Sequence, residues 1–391
     1  MKILQAHVRH VSPGGSEVLF DNLVDALRAR GHHVVTVERD NGTIRGLAGG
    51  VRAALDGLYS PKAGQEMRDL IERERPDVAH FHNLYPQLSP AVVRACNEAG
   101  VPVVMSLHDY KLVCPTAQYF RDGAPCHRCA GGREYHCVLS NCRGSLLEST
   151  AYAARTALAR RAGWLTRGVD RFVACSDFVR RRHVAEGFPA ERIVVVPNLS
   201  DMPDRLPPRP PGRYAAFMGR ISPEKGLRTL VDAARIAGIP VRVAGAGAPA
   251  EMLAAATPDV EFVGPLGRAE VPAFLAGARF LVVPSLFEEP FGIVAAEAMG
   301  QGVPVVAARS GGLPEVVEEG ETGLLFEPGD AAALAERMTR LWNDPALAYE
   351  LGRNGRAKAL REYEKGVYCT RLEQVYESIL SARPIPTTAA G

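Results

Sequence analysis

Residues 201–213 read Asp201-Met202-Pro203-Asp204-Arg205-Leu206-Pro207-Pro208-Arg209-Pro210-Pro211-Gly212-Arg213. Five of these thirteen residues are proline, and no hydrophobic period runs through them. Proline removes a backbone donor and fixes φ, so neither a helix nor a central strand continues across the stretch. It reads as a stiff linker between two folded parts, 1–200 and 214–391.

On both sides of the linker, short apolar runs alternate with helical spacing. Before it, Lys2–Val8, His33–Val37, Arg75–Phe81, Val101–Leu107, Arg171–Ala174 and Ile193–Val196 read as strands. Ser16–Arg30 places Val18, Leu19, Leu23, Ala26 and Leu27 at helical intervals, and Gly31 closes that helix. After the linker, Tyr214–Met218, Pro240–Ala244, Val260–Val263, Phe280–Val283 and Val303–Ala307 read as strands. Helical runs at 225–237, 293–301, 331–343 and 346–361 separate or follow them. Such alternation predicts an α/β protein of two Rossmann-like, doubly wound parallel-sheet domains facing a central cleft. Ligands of such sheets bind outside the carboxyl ends of the strands.

Composition excludes several classes. The chain has 391 residues, 47% of them hydrophobic and 23% charged, with a mean hydropathy of −0.05. This is a globular composition, not a disordered one. No run approaches the roughly 18 apolar residues of a membrane span. The opening MKILQAHV lacks an apolar signal core, which predicts a cytoplasmic protein. A net charge of +2 is too balanced for a nucleic-acid partner. Residues 1–200 carry 26 Lys+Arg against 20 Asp+Glu, and much of the excess falls in an arginine run from Arg155 to Arg182. That run reads first as a solvated face. Its functional reading is peripheral contact with an anionic membrane at its inner face, or with an anionic acceptor.

Three strand ends carry candidate chemistry. Gly14 and Gly15 lie between the first strand and first helix, where free N–H groups and the absence of a Cβ favour an anion. The strand Ala216–Met218 runs into Gly219-Arg220-Ile221-Ser222-Pro223-Glu224-Lys225-Gly226, whose Arg220 and Lys225 suit a diphosphate. After Phe280–Val283 comes Phe287-Glu288-Glu289-Pro290-Phe291-Gly292-Ile293-Val294-Ala295-Ala296-Glu297. Glu289 sits just before a helix and Glu297 lies within it, eight positions on, which predicts two carboxylates that line one face about 12 Å apart along the axis. That distance suits hydroxyls at two ends of a long polar ligand and is too great for one retaining-glycosidase pair.

These motifs resemble the retaining glycosyltransferases of family 4, which have the GT-B fold. The Glu289…Glu297 pair is similar to that family's E-x7-E motif, and Gly219…Gly226 to its donor-phosphate segment. Gly14-Gly15-Ser16-Glu17, Gly311-Gly312-Leu313-Pro314-Glu315 and Glu321-Thr322-Gly323-Leu324-Leu325 add to the resemblance, which covers nearly the whole chain. It implies a sugar moved from a nucleotide-diphosphate sugar to an acceptor hydroxyl, on a glycan, a lipid-linked or a small-molecule acceptor. It implies that Arg220 and Lys225 neutralise the diphosphate and that Glu297 holds the ribose hydroxyls. Glu289 would contact the transferred sugar, helped by the Phe291-Gly292-Ile293 backbone. Gly15 would admit the donor phosphates, and Leu266 would lie beside the base. His108, ending the strand Val101–Leu107, matches a histidine that touches the donor sugar; by itself it reads equally as a structural histidine. The family needs no catalytic metal. Another GT-B enzyme, such as a nucleotide-sugar epimerase or phosphorylase, is the nearer alternative. A zinc-bearing binding module with a degenerate site is disfavoured because Arg220, Lys225, Glu289 and Glu297 are all present.

Five of eight cysteines fall between 114 and 142. Cys126-x2-Cys129 is a zinc-knuckle spacing, and Cys114, Cys137 and Cys142 are near enough in sequence to complete four ligands. The segment has little periodicity of its own, so a structural zinc would supply order that a core cannot. The resemblance favours Cys114, Cys126, Cys129 and Cys142 as ligands, with Cys137 as the alternative. The C-terminal helical stretch Gly366–Leu380 is expected to cross back onto the first domain, as in similar proteins.

Overall fold

The computed structural model describes residues 1–9, 15–203, 205–206, 212–247 and 259–382. Strands β1 (Lys2–Arg9), β2 (His33–Asp40), β3 (Val78–Asn83) and β4 (Val103–Leu107) begin the first sheet. A two-residue hairpin, β5 (Phe120–Arg121) and β6 (Ala124–Pro125), stands apart in the cysteine-rich segment. Strands β7 (Arg171–Ala174) and β8 (Ile193–Val195) complete the sheet, whose parallel order is β2-β1-β3-β4-β7-β8. The second sheet holds β9 (Tyr214–Met218), β10 (Val241–Ala244), β11 (Val260–Gly264), β12 (Ala278–Val283), β13 (Val305–Ala308) and β14 (Gly323–Phe326). Its parallel order is β11-β10-β9-β12-β13-β14. The strand order reverses between β9 and β12, and in the first sheet between β1 and β3. At those places the loops diverge and leave a crevice.

The strands are apolar on both faces because helices cover both. In β1 the six residues from Ile3 to Val8 are all buried, and in β4 all five are. The helix Leu227–Ala237 buries Leu227, Leu230, Val231 and Ala234 along one stripe. One hydrophobic cluster takes residues from both sheets, from Leu4 and Phe81 to Ala216 and Ala307, so the two halves share packed core. The last helix, Lys365–Ala382, does cross back. Tyr368, Leu372, Tyr376 and Ile379 are buried with Leu19, Phe20 and Leu23 of the helix Gly15–Ala29. No described helix is long and apolar enough to cross a membrane.

Three expectations shift. The strand read as Arg75–Phe81 begins at Val78, because Arg75 adopts a left-handed conformation (φ 46°) and ends the helix Pro61–Glu74. The second sheet has a sixth strand, β14, where the sequence shows only the motif Glu321–Leu325. The arginine run is not one exposed face. Arg155 is buried against the rings of Tyr85 and Tyr152, Arg160 pairs with Glu134, and Arg182 reaches Glu288 in the other half. Burial of a guanidinium costs much less when it lies over aromatic faces or against a carboxylate, and these partners supply that.

Candidate active site

The crevice between β9 and β12 brings the second half's candidates together. After β9 the chain makes a 3₁₀ turn, Pro223–Lys225, which aims Lys225 across at the loop following β12. Lys225 Nζ donates to both oxygens of Glu289, at 3.0 and 2.9 Å, and Ser285 Oγ donates to Glu289 Oε2 at 2.8 Å. The Glu289 and Lys225 side chains are 12% and 21% exposed, so the pair stands at the wall of the crevice and still meets it. Lys225 also lies 4.8 Å above the Phe287 ring. Arg220 is more exposed, at 55%, and its Nη2 lies 3.4 Å from Glu224 Oε1. Glu224 is buried and also accepts from Ser222 Oγ at 2.7 Å. Both basic residues thus line one strand end, each held by its own carboxylate.

Glu289 and Glu297 do not share a helical face. The helix spans Ile293–Gly300, and Glu289 sits four residues before it, in the loop. Gly292, at φ 97°, turns the chain between them, a conformation that a Cβ would strain. Gly311 lies at φ 60° against the Glu289 backbone; a Cβ there would come within 2.2 Å of the Glu289 carbonyl. Gly312 N donates to that carbonyl at 2.7 Å. The glycine pair therefore locks the Glu289 loop, and the helical-rise distance does not apply to the two acids. Glu297 lies inside the helix. Burial, with Asp201 adding to it, pushes its carboxyl up to about 7, while Arg268 opposes the shift.

Phe291 is buried with Tyr363 edge-on to it at 5.3 Å, so only its backbone can meet a ligand. The Ile293 helix has no side-chain cap. The N-terminus of the first helix faces it: a Cβ on Gly15 would lie 2.9 Å from Ile293 Cδ1. Two helix starts from the two halves thus converge, an arrangement that favours an anion between them. Gly14 lies outside the described residues. Leu266 follows β11 and is half-buried against the shared core.

His108 directly follows β4. Its Nε2 lies 3.0 Å from His82 Nδ1, and the two rings are nearly coplanar, 9° apart. Burial, and then His7 nearby, hold its pKa down at about 4, so it is neutral near pH 7. A small cavity between the carboxyl ends of β3 and β4 is lined by His82, Asn83, Ser106, His108, Asp109 and Lys111.

Several contacts carry no signal in the sequence pattern. Glu288 accepts a hydrogen bond from Arg182 and lies 3.1 Å from His127 Nε2. Tyr110 Oη donates to the Glu288 carbonyl at 2.9 Å. Glu315, at the end of the Gly311–Glu315 motif, caps the helix Asp177–Ala185. It accepts from Asp177 N and Phe178 N at 2.7 Å each. A carboxylate at a helix N-terminus meets unpaired donors and the positive end of the dipole, here across the two halves.

The cysteine segment gathers its thiols. Burial pushes Cys129 and Cys137 each up to about 12, with Cys114 and Cys142 among the neighbours of both. Cys137 hydrogen-bonds to Cys142, and Arg121 Nη1 donates to Cys142 Sγ at 3.5 Å. Thiols of this kind suit zinc chemically. Among the described residues, however, no three His, Cys, Asp or Glu side chains are placed as ligands of one metal ion. The donor chemistry suits zinc, and as placed the side chains are not drawn into one ligand set.

Two family models match the chain: a glycosyl transferase 4-like domain over residues 14–199 and the group 1 glycosyl transferases over 212–344. The protein belongs to the GT4-type glycosyltransferases of the GT-B fold. The D-inositol 3-phosphate glycosyltransferase of Corynebacterium efficiens is 33% identical over 201 residues, 46% of either chain. Glycogen synthase of Mycobacterium tuberculosis is 31% identical over 230 residues, 54% of this chain and 55% of that one. The chain thus spans about half the length of these curated relatives. An uncharacterised glycosyltransferase of Methanocaldococcus jannaschii is 25% identical over 97% of this chain and 99% of its own. Among solved structures, HepE of Anabaena in complex with UDP superposes with a TM-score of 0.69 at 21% identity, over 97% of this chain and all of that one. Sucrose-phosphate synthase of Thermosynechococcus elongatus gives 0.72 at 21%, over 98% and 100%. At these identities the structural likeness speaks for the fold.

Proposed function

We propose that this protein transfers a sugar from a nucleotide-diphosphate sugar to an acceptor hydroxyl, with retention of the anomeric configuration. The observation that carries the reading is the Lys225–Glu289–Ser285 cluster at the β9/β12 crevice, opposite the start of the first helix. The ammonium and carboxylate now neutralise each other; a donor offers each a better partner. Its diphosphate takes Lys225 and Arg220, and sugar hydroxyls take Glu289. Glu297 holds the ribose. HepE's complexes with UDP and UDP-glucose support a nucleotide donor of this kind.

In the reaction the bond from the anomeric carbon to the phosphate oxygen breaks, and the acceptor oxygen bonds to the same face. The acceptor proton passes to the leaving phosphate oxygen. Glu289 keeps its hydrogen bond from Ser285 when Lys225 turns to the diphosphate, which suits a carboxylate that accepts from sugar hydroxyls and not an attacking nucleophile. The charge that develops on the diphosphate meets Lys225, Arg220 and two helix starts, and this set carries the proposal that no metal is needed. The test is the product's anomeric coupling by NMR, after screening UDP-, GDP- and ADP-sugars with and without acceptor in EDTA. Inverted product overturns retention, and turnover without acceptor points to epimerisation.

We propose separately that the cysteine loop holds a structural zinc, away from bond breaking. Clustering of the five thiols supports it, and the ligands would have to draw together around the ion. Protein purified without chelator is expected to carry about one zinc per chain, lost in Cys129→Ser while donor binding survives. Elemental analysis showing no zinc, with all five thiols titrating natively, ends the idea.

A further inference from the structure

Behind His108 runs a buried chain of polar groups that the transfer reaction does not itself use. Gln5 Nε2 donates to Tyr376 Oη at 3.1 Å, and Tyr376 belongs to the returning C-terminal helix. Gln5 Oε1 lies 2.7 Å from His82 Nε2, and His82 Nδ1 lies 3.0 Å from His108 Nε2. On the other side, Tyr376 Oη lies 2.7 Å from His80 Nδ1, and His80 Nε2 lies 2.8 Å from Ser106 Oγ. Gln5, His80, His82 and Tyr376 are all buried. Burial holds His80 down at about 3 and His82 well below its usual value, so these imidazoles are neutral and each carries one proton.

One proton per ring makes the chain a directed one. Every donor could in principle reverse, and the network would stay connected. The Gln5 amide breaks that symmetry, since only its nitrogen donates and only its oxygen accepts. With the oxygen facing His82, His82 must carry its proton on Nε2. Its Nδ1 is then an acceptor, and His108 must carry its proton on Nε2. Tyr376 Oη, receiving from Gln5, donates onward to His80 Nδ1, and His80 Nε2–H donates to Ser106. What remains is His108 Nδ1, buried and without a hydrogen-bond partner among the described residues.

We infer that Gln5, anchored by Tyr376 of the C-terminal helix, fixes the tautomer of His108 through His82, so that His108 offers Nδ1 as a hydrogen-bond acceptor to the ligand. His108 touches the ligand on the proposed reading of the donor site, on which this inference rests. Gln5, His82 and Tyr376 are positioning residues. A neutral Nδ1 acceptor takes a hydroxyl of the ligand and disfavours a carboxylate there. The crossing of the last helix thereby acquires a role in the chemistry of the first half, beyond packing.

The experiment is ¹⁵N NMR of histidine-labelled full-length protein near pH 7, with His108 assigned through His108→Gln. In the wild type, His108 is expected to show a pyrrole-type Nε2 and an imine-type Nδ1 resonance. Tyr376→Phe removes the anchor, and both nitrogens are expected to move toward intermediate values; Gln5→Met is expected to do the same. A wild-type His108 protonated on Nδ1, or on both nitrogens, overturns the inference. So does an unchanged tautomer in folded Tyr376→Phe and Gln5→Met. These spectra need no donor. Adding UDP-glucose then tests the site reading by itself: a shift at His108 Nδ1 supports ligand contact. No shift while the nucleotide binds elsewhere in the cleft overturns the contact and leaves the tautomer result standing.

Discussion

Lys225→Ala is expected to lower turnover by about 10²- to 10³-fold, the usual loss when a preorganised charge facing a developing oxyanion is removed. The Lys225 ammonium is within 3.0 Å of both Glu289 oxygens, and Lys225 ends the 3₁₀ turn after β9. When the diphosphate leaves, that charge has no substitute of equal position, because Arg220 is more exposed and tied to Glu224. Folding should suffer less. Loss of an exposed pair costs about 0–1 kcal/mol and loss of a fully buried one about 3–5, and this partly exposed pair falls between. Ser285 remains as a donor to Glu289. Transfer assays alongside thermal melts separate the two effects. Wild-type turnover in a stably folded Lys225→Ala protein would falsify the assignment of Lys225 to the leaving group.

Glu297→Ala is expected to weaken nucleotide-sugar binding by about 1.5–3 kcal/mol, the range for a lost charge-assisted hydrogen bond. The same residue makes binding depend on pH. Its carboxyl is pushed up to about 7 by burial and then by Asp201, against an ordinary value of 4.5. Only the ionised form accepts from both ribose hydroxyls. Binding should therefore tighten by about tenfold as pH rises from 6 to 8, one decade following from the change in ionised fraction. A nucleotide sugar carries no terminal phosphate monoester, so the ligand does not titrate in this window. Stability runs the opposite way. Below about pH 4.5 the carboxyl is protonated in both states. Between about 4.5 and 7 the unfolded chain ionises while the folded one keeps its proton, so stability falls with rising pH and levels off above 7. Glu297→Gln should flatten both profiles. Calorimetric titration of a UDP-sugar at several pH values checks the first, and melts over the same range check the second. A wild-type affinity that does not vary between pH 6 and 8 removes Glu297 from the ribose.

Local periodicity carried the architecture well and the site only halfway. Strands such as Tyr214–Met218 and Arg171–Ala174, and the helix Ala331–Asn343, stand where the residues imply, because a short apolar run or an apolar period of 3.6 is written in neighbouring residues. The strand-end loops followed, since a doubly wound sheet puts its ligand there. Glu289 and Glu297 do not line one face at a helical rise because Gly292 turns the chain between them, and a spacing of eight carries no sign of that turn. Glu315 stands in a motif that names no partner for it, and it caps a helix from the other half.

By itself, then, the sequence determined two βα halves and which loops reach the crevice. These depend on contacts between residues close in the chain. Only the tertiary structure decided who pairs with whom inside the site. Lys225 meets Glu289 across 64 positions, Arg182 meets Glu288 across 106, and Gln5 meets Tyr376 across 371. Such partners share no period and no neighbours. They are brought together by the packing of two sheets and a returning helix, whose burial makes each unpaired polar group costly and so selects the partner that satisfies it.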